Sequence, residues 1–275
     1  MPNKMAVQAE EAGIKKANRS FSKTLVLAIL AGAFIAFGAI FATTVTAEQS
    51  ISPGFTKLIG GIAFSLGLIL VIIGGAELFT GNNIIVMAWA NKRIKTIQVL
   101  RNWSIVYFGN FVGSFAMAVF MFYSSLYSSG TGSVGAKALR IAEAKCSLGF
   151  TQAIILGILC NILVCLAVWL CYSAKRTSGK ILAILFPITA FVAAGFEHSI
   201  ANMYFIPKAL LIKNFANEMF WTSINASPEI YANLTWSNFI INNLIPVTIG
   251  NIIGGAVLVG LVYWFVYLKG NQQKA

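Results

Sequence analysis

Three ionisable residues stand inside runs that are otherwise apolar: Glu77, Glu197 and His198. Glu77 and Glu197 are the acidic residues within those runs, and His198 is the one histidine of the chain. Ionisable groups surrounded by hydrocarbon are expensive, so each marks a functional or bracing position. An imidazole can donate a hydrogen bond to an anion, or a proton to one, near neutral pH. A carboxylate facing an anion pathway would repel the traffic, so the glutamates read as braces that accept hydrogen bonds from backbone N–H groups. Thr80 and Ser199 add hydroxyl donors. Asn82, Asn83, Asn161, Asn202 and Asn251 either satisfy loop backbone or line a polar path. Residue type does not separate those two uses; Asn161, Ser199 and Asn251 are carried as pathway candidates, Asn82 and Asn202 as braces.

The elements that position these residues are membrane spans. Apolar residues make up 58% of the 275 positions and charged residues 10%, a composition foreign to soluble globules. Six runs are long enough to cross a bilayer, at about 24–47, 58–90, 103–127, 149–173, 180–206 and 238–268, since a spanning helix needs roughly 20 apolar residues. The net charge of +12 points to membrane topology and not to nucleic acid, because the basic residues lie mainly between the runs. They gather at the N-terminus and in the linkers holding Lys92, Arg93, Lys95, Arg101, Lys175, Arg176 and Lys180, with Lys269 and Lys274 at the C-terminus. The positive-inside rule therefore places both termini in the cytoplasm of a multi-pass inner-membrane protein. Residues 1–22 are polar and helix-prone, forming a short helix at that face or a solvated anchor; 269–275 form a short tail. The first apolar run is too long for a signal-peptide core, so no cleavable leader is expected. Four cysteines without a CxxC pair, and one histidine, support neither a zinc site nor a disulfide framework.

The chain repeats itself. Gly75-Ala76-Glu77-Leu78-Phe79-Thr80-Gly81-Asn82 matches Gly195-Phe196-Glu197-His198-Ser199-Ile200-Ala201-Asn202 at glycine, glutamate and asparagine. Asn102, Gly109-Asn110 and Gly113 match Asn243, Gly250-Asn251 and Gly254. The matches fall in the second and fifth spans and in the third and sixth. Three spans per half force the second copy to enter from the opposite side, an inverted repeat of 24–127 on 149–268. Glycine and polar clusters in mid-run predict that the second and fifth spans break into helix–loop–helix, with the breaks meeting near mid-bilayer. Gly60, Gly67, Gly74 and Gly81 recur every seven residues, a packing stripe. The symmetry fails at one informative place: Leu78 stands where the second half has His198.

Ala194-Gly195-Phe196-Glu197-His198-Ser199-Ile200-Ala201-Asn202-Met203 closely resembles the signature of the formate/nitrite transporter family. Glu77-Leu78-Phe79-Thr80, Tyr107-Phe108-Gly109-Asn110 and Asn243 through Asn251 do likewise, and the resemblance covers nearly the whole chain. It implies an all-α, aquaporin-like membrane fold of six spans, a homopentamer in the lipid bilayer with one pore per protomer, and no cofactor. It implies formate as the conducted anion, with nitrite or hydrosulfide as the alternative; Gly81-Asn82-Asn83 looks more like those branches. By motif, His198 and Thr80 face the pathway, Leu78 and Phe79 form one constriction, and Phe64 and Phe191 form the other. Glu197 and Asn251 support the site, and Lys145 adds positive field at the outer mouth. A membrane enzyme using Glu197 and His198 as an acid–base pair lacks a nucleophile–base constellation.

Overall fold

The computed structural model describes residues 1–48 and 52–270; Lys274 and the tail beyond 270 lie outside the described residues. A helix α1 (Pro2–Ala17) precedes two long helices, α2 (Phe21–Val45) and α3 (Pro53–Gly74). A four-residue break follows. The chain then resumes as α4, which starts at Phe79–Asn82 and runs on through Val86–Ala90. Next come α5 (Thr96–Tyr123), α6 (Ser133–Cys146) and α7 (Phe150–Cys171). The second broken span is α8 (Thr177–Ala194) and α9 (Ser199–Phe215). A loop with short helical turns leads to α10 (Trp236–Tyr267). Helices α2, α3, α5, α7, α8 and α10 are each long and apolar enough to cross a membrane.

Sequence dictates where the two broken spans stop. Gly75 and Gly195 adopt left-handed backbone, with φ of 76° and 75°. That conformation costs an ordinary L-residue about 1–2 kcal/mol and glycine almost nothing. At each glycine the following N–H turns back to the carbonyl five residues earlier: Ala76 to Val71 at 2.9 Å, Phe196 to Phe191 at 3.0 Å. This is the Schellman closure of a helix C-terminus, built twice, 120 positions apart.

Pairing of helices repeats as well. Helix α5 packs along α2 as α10 packs along α7. The seams are glycine-lined because backbone meets backbone. A Cβ on Gly113 would strike the Ile29 carbonyl, and one on Gly254 the Ile158 carbonyl. Van der Waals contact of this closeness holds helices together in lipid, where hydrophobicity supplies no net pull. In α10 the turns loosen to π-helical geometry over Phe239–Leu244 and Ile253–Leu261. Pro246, lying between them, has no N–H to give to the ladder.

The N-terminal segment is a packed helix and not a solvated anchor. Met5, Ala6, Ala9, Gly13 and Ala17 are buried, and an added Cβ on Gly13 would lie 3.3 Å from Ala88 on α4. Its partner in the other half is α6. The Asn102 amide of α5 donates to the Lys16 carbonyl at 3.3 Å, and the Asn243 amide of α10 donates to the Lys145 carbonyl at 3.0 Å. Leu27 and Leu156 show the same spacing in their contacts with the breaks. Each repeat thus comprises a surface helix followed by three spans.

Candidate functional site

Helices that stop inside the protein leave backbone donors and acceptors to satisfy, at about 1–3 kcal/mol for each buried group left without a partner. One asparagine serves each break. Asn110 accepts from the Phe79 N–H at 2.9 Å and donates to the carbonyls of Ala28 at 2.7 Å and Glu77 at 2.9 Å. Asn251 accepts from the Ser199 N–H at 2.9 Å and donates to Gly157 at 2.8 Å and Glu197 at 3.0 Å. The remaining N–H groups of Glu77 and Glu197 reach the carbonyls of Leu27 at 3.1 Å and Leu156 at 3.3 Å. The expectation that the glutamate carboxylates would accept the freed backbone N–H groups is therefore corrected: the asparagine amides hold the loops.

The carboxylates turn to cations instead, the stronger partners in a low dielectric. Glu77 is bound by Lys16 at 3.2 Å and by Arg19, with the Asn82 amide at 2.7 Å. Glu197 is bound by Lys145 at 2.7 Å, with the Asn202 amide at 2.7 Å and the Asn243 amide at 3.2 Å. Asn82 and Asn202 sit in the first turn of α4 and α9, so each glutamate ties a half-helix to a surface helix. In the sequence Lys16 and Arg19 count only toward the basic N-terminal segment. Lys16 precedes Lys145 by the spacing that relates Leu27 to Leu156, and that spacing shows only in the folded chain.

Two cavities approach the breaks from opposite sides. The larger, of about 480 Å³, is lined by Phe64, Phe191, Glu197 and His198, and by Lys57, Lys137 and Lys145. The smaller, of about 290 Å³, is lined by Glu77, Leu78, Lys16, Arg19, Tyr172 and Lys180. Leu78 thus closes one cavity where His198 closes the other. Phe64 and Phe191 meet edge to face, 5.7 Å between ring centres, and Phe191 lies nearly parallel to the imidazole at 6.0 Å.

Between the cavities His198 joins the two halves. Its Nδ1 accepts the Ala201 N–H at 3.1 Å, capping α9, and its Nε2 lies 2.9 Å from Thr80 Oγ1. With the Nδ1 lone pair engaged, a neutral ring carries its proton on Nε2 and donates it to Thr80. The threonine hydroxyl hydrogen is then left for an acceptor other than the imidazole. Both side chains are buried, and a donor polarised by the bond behind it is the stronger for it.

Five residues expected along the pathway line neither cavity: Thr80, which is buried against His198, Asn251, which holds backbone groups of the second break, and Phe79, Asn161 and Ser199. The Phe79 ring lines neither cavity; it packs at 4.9 Å on Tyr107 and 6.0 Å on Trp103, because the bond from its N–H to Asn110 turns it toward α5. Asn161 also lines neither cavity. Its amide donates to the Asn251 carbonyl at 2.6 Å, the Thr80 carbonyl at 3.3 Å and Asn83 Oδ1 at 3.0 Å, which makes it a cross-brace. Ser199 Oγ is buried without a hydrogen-bond partner, also off both cavity linings.

Comparison with known proteins agrees with this architecture along the whole chain. A family profile described as "Formate/nitrite transporter" matches residues 3–265. The chain is 48% identical over 273 residues to the formate channel FocA of Escherichia coli (strain K12), covering 99% of this chain and 96% of that one. A solved pentameric formate channel with formate bound superposes with a TM-score of 0.84 at 44% identity, covering 93% of this chain and 99% of the other. An ion channel of the same family superposes with a TM-score of 0.77 at 29% identity, over 96% and 98% of the two chains. With its inverted repeat, two broken spans and matching signature, this multi-pass membrane protein belongs to the formate/nitrite transporter family.

Proposed function

We propose that this protein conducts formate through a pore inside each protomer of a homopentamer, in the cytoplasmic membrane, with both termini in the cytoplasm. The observation that carries the reading is the His198–Thr80 pair, placed where two mirrored breaks divide two opposed cavities. Relatives named as formate channels, one of them a pentamer with formate bound, support the choice of substrate and assembly.

A bare anion in hydrocarbon is prohibitively expensive, and a pore must lower that barrier without trapping the ion. On this reading Phe64 and Phe191 form a dry constriction above the imidazole, and Leu78 forms one below it. Between them, Thr80 offers its hydroxyl hydrogen and His198 fixes the direction of that donor. Proton transfer from the ring to the anion requires the imidazolium. Its Nδ1–H cannot accept the Ala201 amide, so the cap favours hydrogen-bond donation by a neutral ring. The chain is one transmembrane domain, and its function is transport without chemical change of the solute.

Purified protein in liposomes, challenged separately with formate, nitrite and hydrosulfide across pH, tests the proposal. We expect saturable formate flux exceeding that of the other two. Flux no greater than in empty liposomes, or a chemically altered product, overturns it; faster nitrite or hydrosulfide flux reassigns the substrate. A His198→Phe variant that keeps the wild-type pH profile removes proton relay from the mechanism.

A further inference from the structure

One hydrogen bond locates the two-fold axis of the repeat. Tyr107 on α5 stands to Thr248 on α10 at the spacing that relates Asn110 to Asn251. The two residues are therefore the same place in the two copies, and their hydroxyl oxygens meet at 2.8 Å. Equivalent residues of an inverted repeat touch only where they flank its axis. The Thr248 hydroxyl donates to the Leu244 carbonyl at 2.6 Å, so its lone pair receives the Tyr107 proton.

The two breaks are also equivalent, so the same axis passes between them. The Tyr107–Thr248 bond thus lies on the line that runs through the His198–Thr80 pair. Each partner precedes by one helical turn the asparagine that holds a break, Asn110 on α5 and Asn251 on α10. These two helices take their main packing from different neighbours, α2 and α7. The distance between the breaks therefore depends on whatever ties α5 to α10. Asn161 ties the Thr80 carbonyl to the Asn251 carbonyl from α7. Tyr107 ties the same region from α5, and its ring also carries the Phe79 ring, beside Thr80, at 4.9 Å. Neither Tyr107 nor Thr248 lines a cavity.

We propose that Tyr107 and Thr248 are positioning residues whose bond sets the separation of the two breaks, and with it the size of carboxylate that the His198–Thr80 pair lets through. The inference rests on the conduction reading above and adds to it a size limit fixed from outside the pathway.

The test measures flux of formate and of acetate, one methyl group larger, in liposomes holding the full chain. Tyr107→Phe and Thr248→Val each remove the bond while keeping the ring or the side-chain volume. Each should raise the acetate-to-formate flux ratio by about threefold or more, the equivalent of one ordinary hydrogen bond. The double variant should raise it no further than either single, because both act on one bond. Thr248→Ser keeps the hydroxyl and should keep the wild-type ratio. A purely structural role would lower the unfolding temperature in detergent and both fluxes together, with the ratio unmoved. An unchanged ratio in both single variants overturns the proposal, as does a double variant whose change is the product of the two singles. A wild type that conducts no formate at all overturns the conduction reading instead, so the two failures are distinguishable.

Discussion

His198 Nε2 lies 2.9 Å from Thr80 Oγ1, joining a residue of the second break to the first helical turn beyond the other. The bond crosses between two halves of the chain that share no local sequence contact. On the conduction proposal, it leaves the threonine hydroxyl hydrogen as the donor offered to the anion.

Thr80→Val removes that donor while keeping the side-chain volume. A hydrogen bond to a charged group contributes about 1.5–3 kcal/mol, so formate flux should fall about ten- to hundredfold, and Thr80→Ser should retain most of it. Liposome flux checks this, with size-exclusion profiles to confirm assembly. Unchanged flux in Thr80→Val would remove the hydroxyl from the pathway.

Asn110 and Asn251 each hold three backbone groups. Alanine at either position strands those groups in a dry interior and should destabilise the protein by on the order of 3 kcal/mol. Because the two sites are equivalent, the losses should be alike. Thermal unfolding in detergent reads both, and a loss at only one of them would show that the breaks are not held in the same way.

The Lys145–Glu197 pair is short and largely buried. Removing one partner leaves an unpaired buried charge, and such a change costs about 3–5 kcal/mol. Lys145→Met alone should therefore be more damaging than Lys145→Met combined with Glu197→Gln. A double-variant cycle on unfolding temperature measures the coupling; additive losses would mean that the pair contributes no energy of its own.

Cys146, at the end of α6, is buried, and burial, reinforced by the charge of Glu143, pushes its thiol up to about 12. The thiolate is the nucleophile. At pH 8, well below that value, the native thiol should resist iodoacetamide and react only after denaturation. Mass spectrometry of the labelled peptide decides the matter, and rapid labelling of the folded protein would place this end of α6 in the open.

The spans and both breaks were legible because their signals are local. Apolar length marks a crossing, and Gly75 and Gly195 with their polar neighbours mark the interruptions. Register between the halves was legible too, from Asn110 against Asn251. Side-chain direction was not. Nothing in the residue type tells that Asn161 braces the Thr80 carbonyl, or that a bond from its own backbone turns Phe79 away from Leu78. Lys16 and Arg19 were missed for another reason: polar residues ahead of a first span read as solvent-facing, and their partner Glu77 is some 60 positions away.

Leu78 and His198 occupy the same address in the two copies, and Thr80, the partner of the imidazole, stands where the second copy has Ile200. The hydrogen-bonded pair therefore draws one member from each copy. Two copies of either half alone would keep the breaks and lack the pair, so the mismatch between the halves supplies what their likeness cannot.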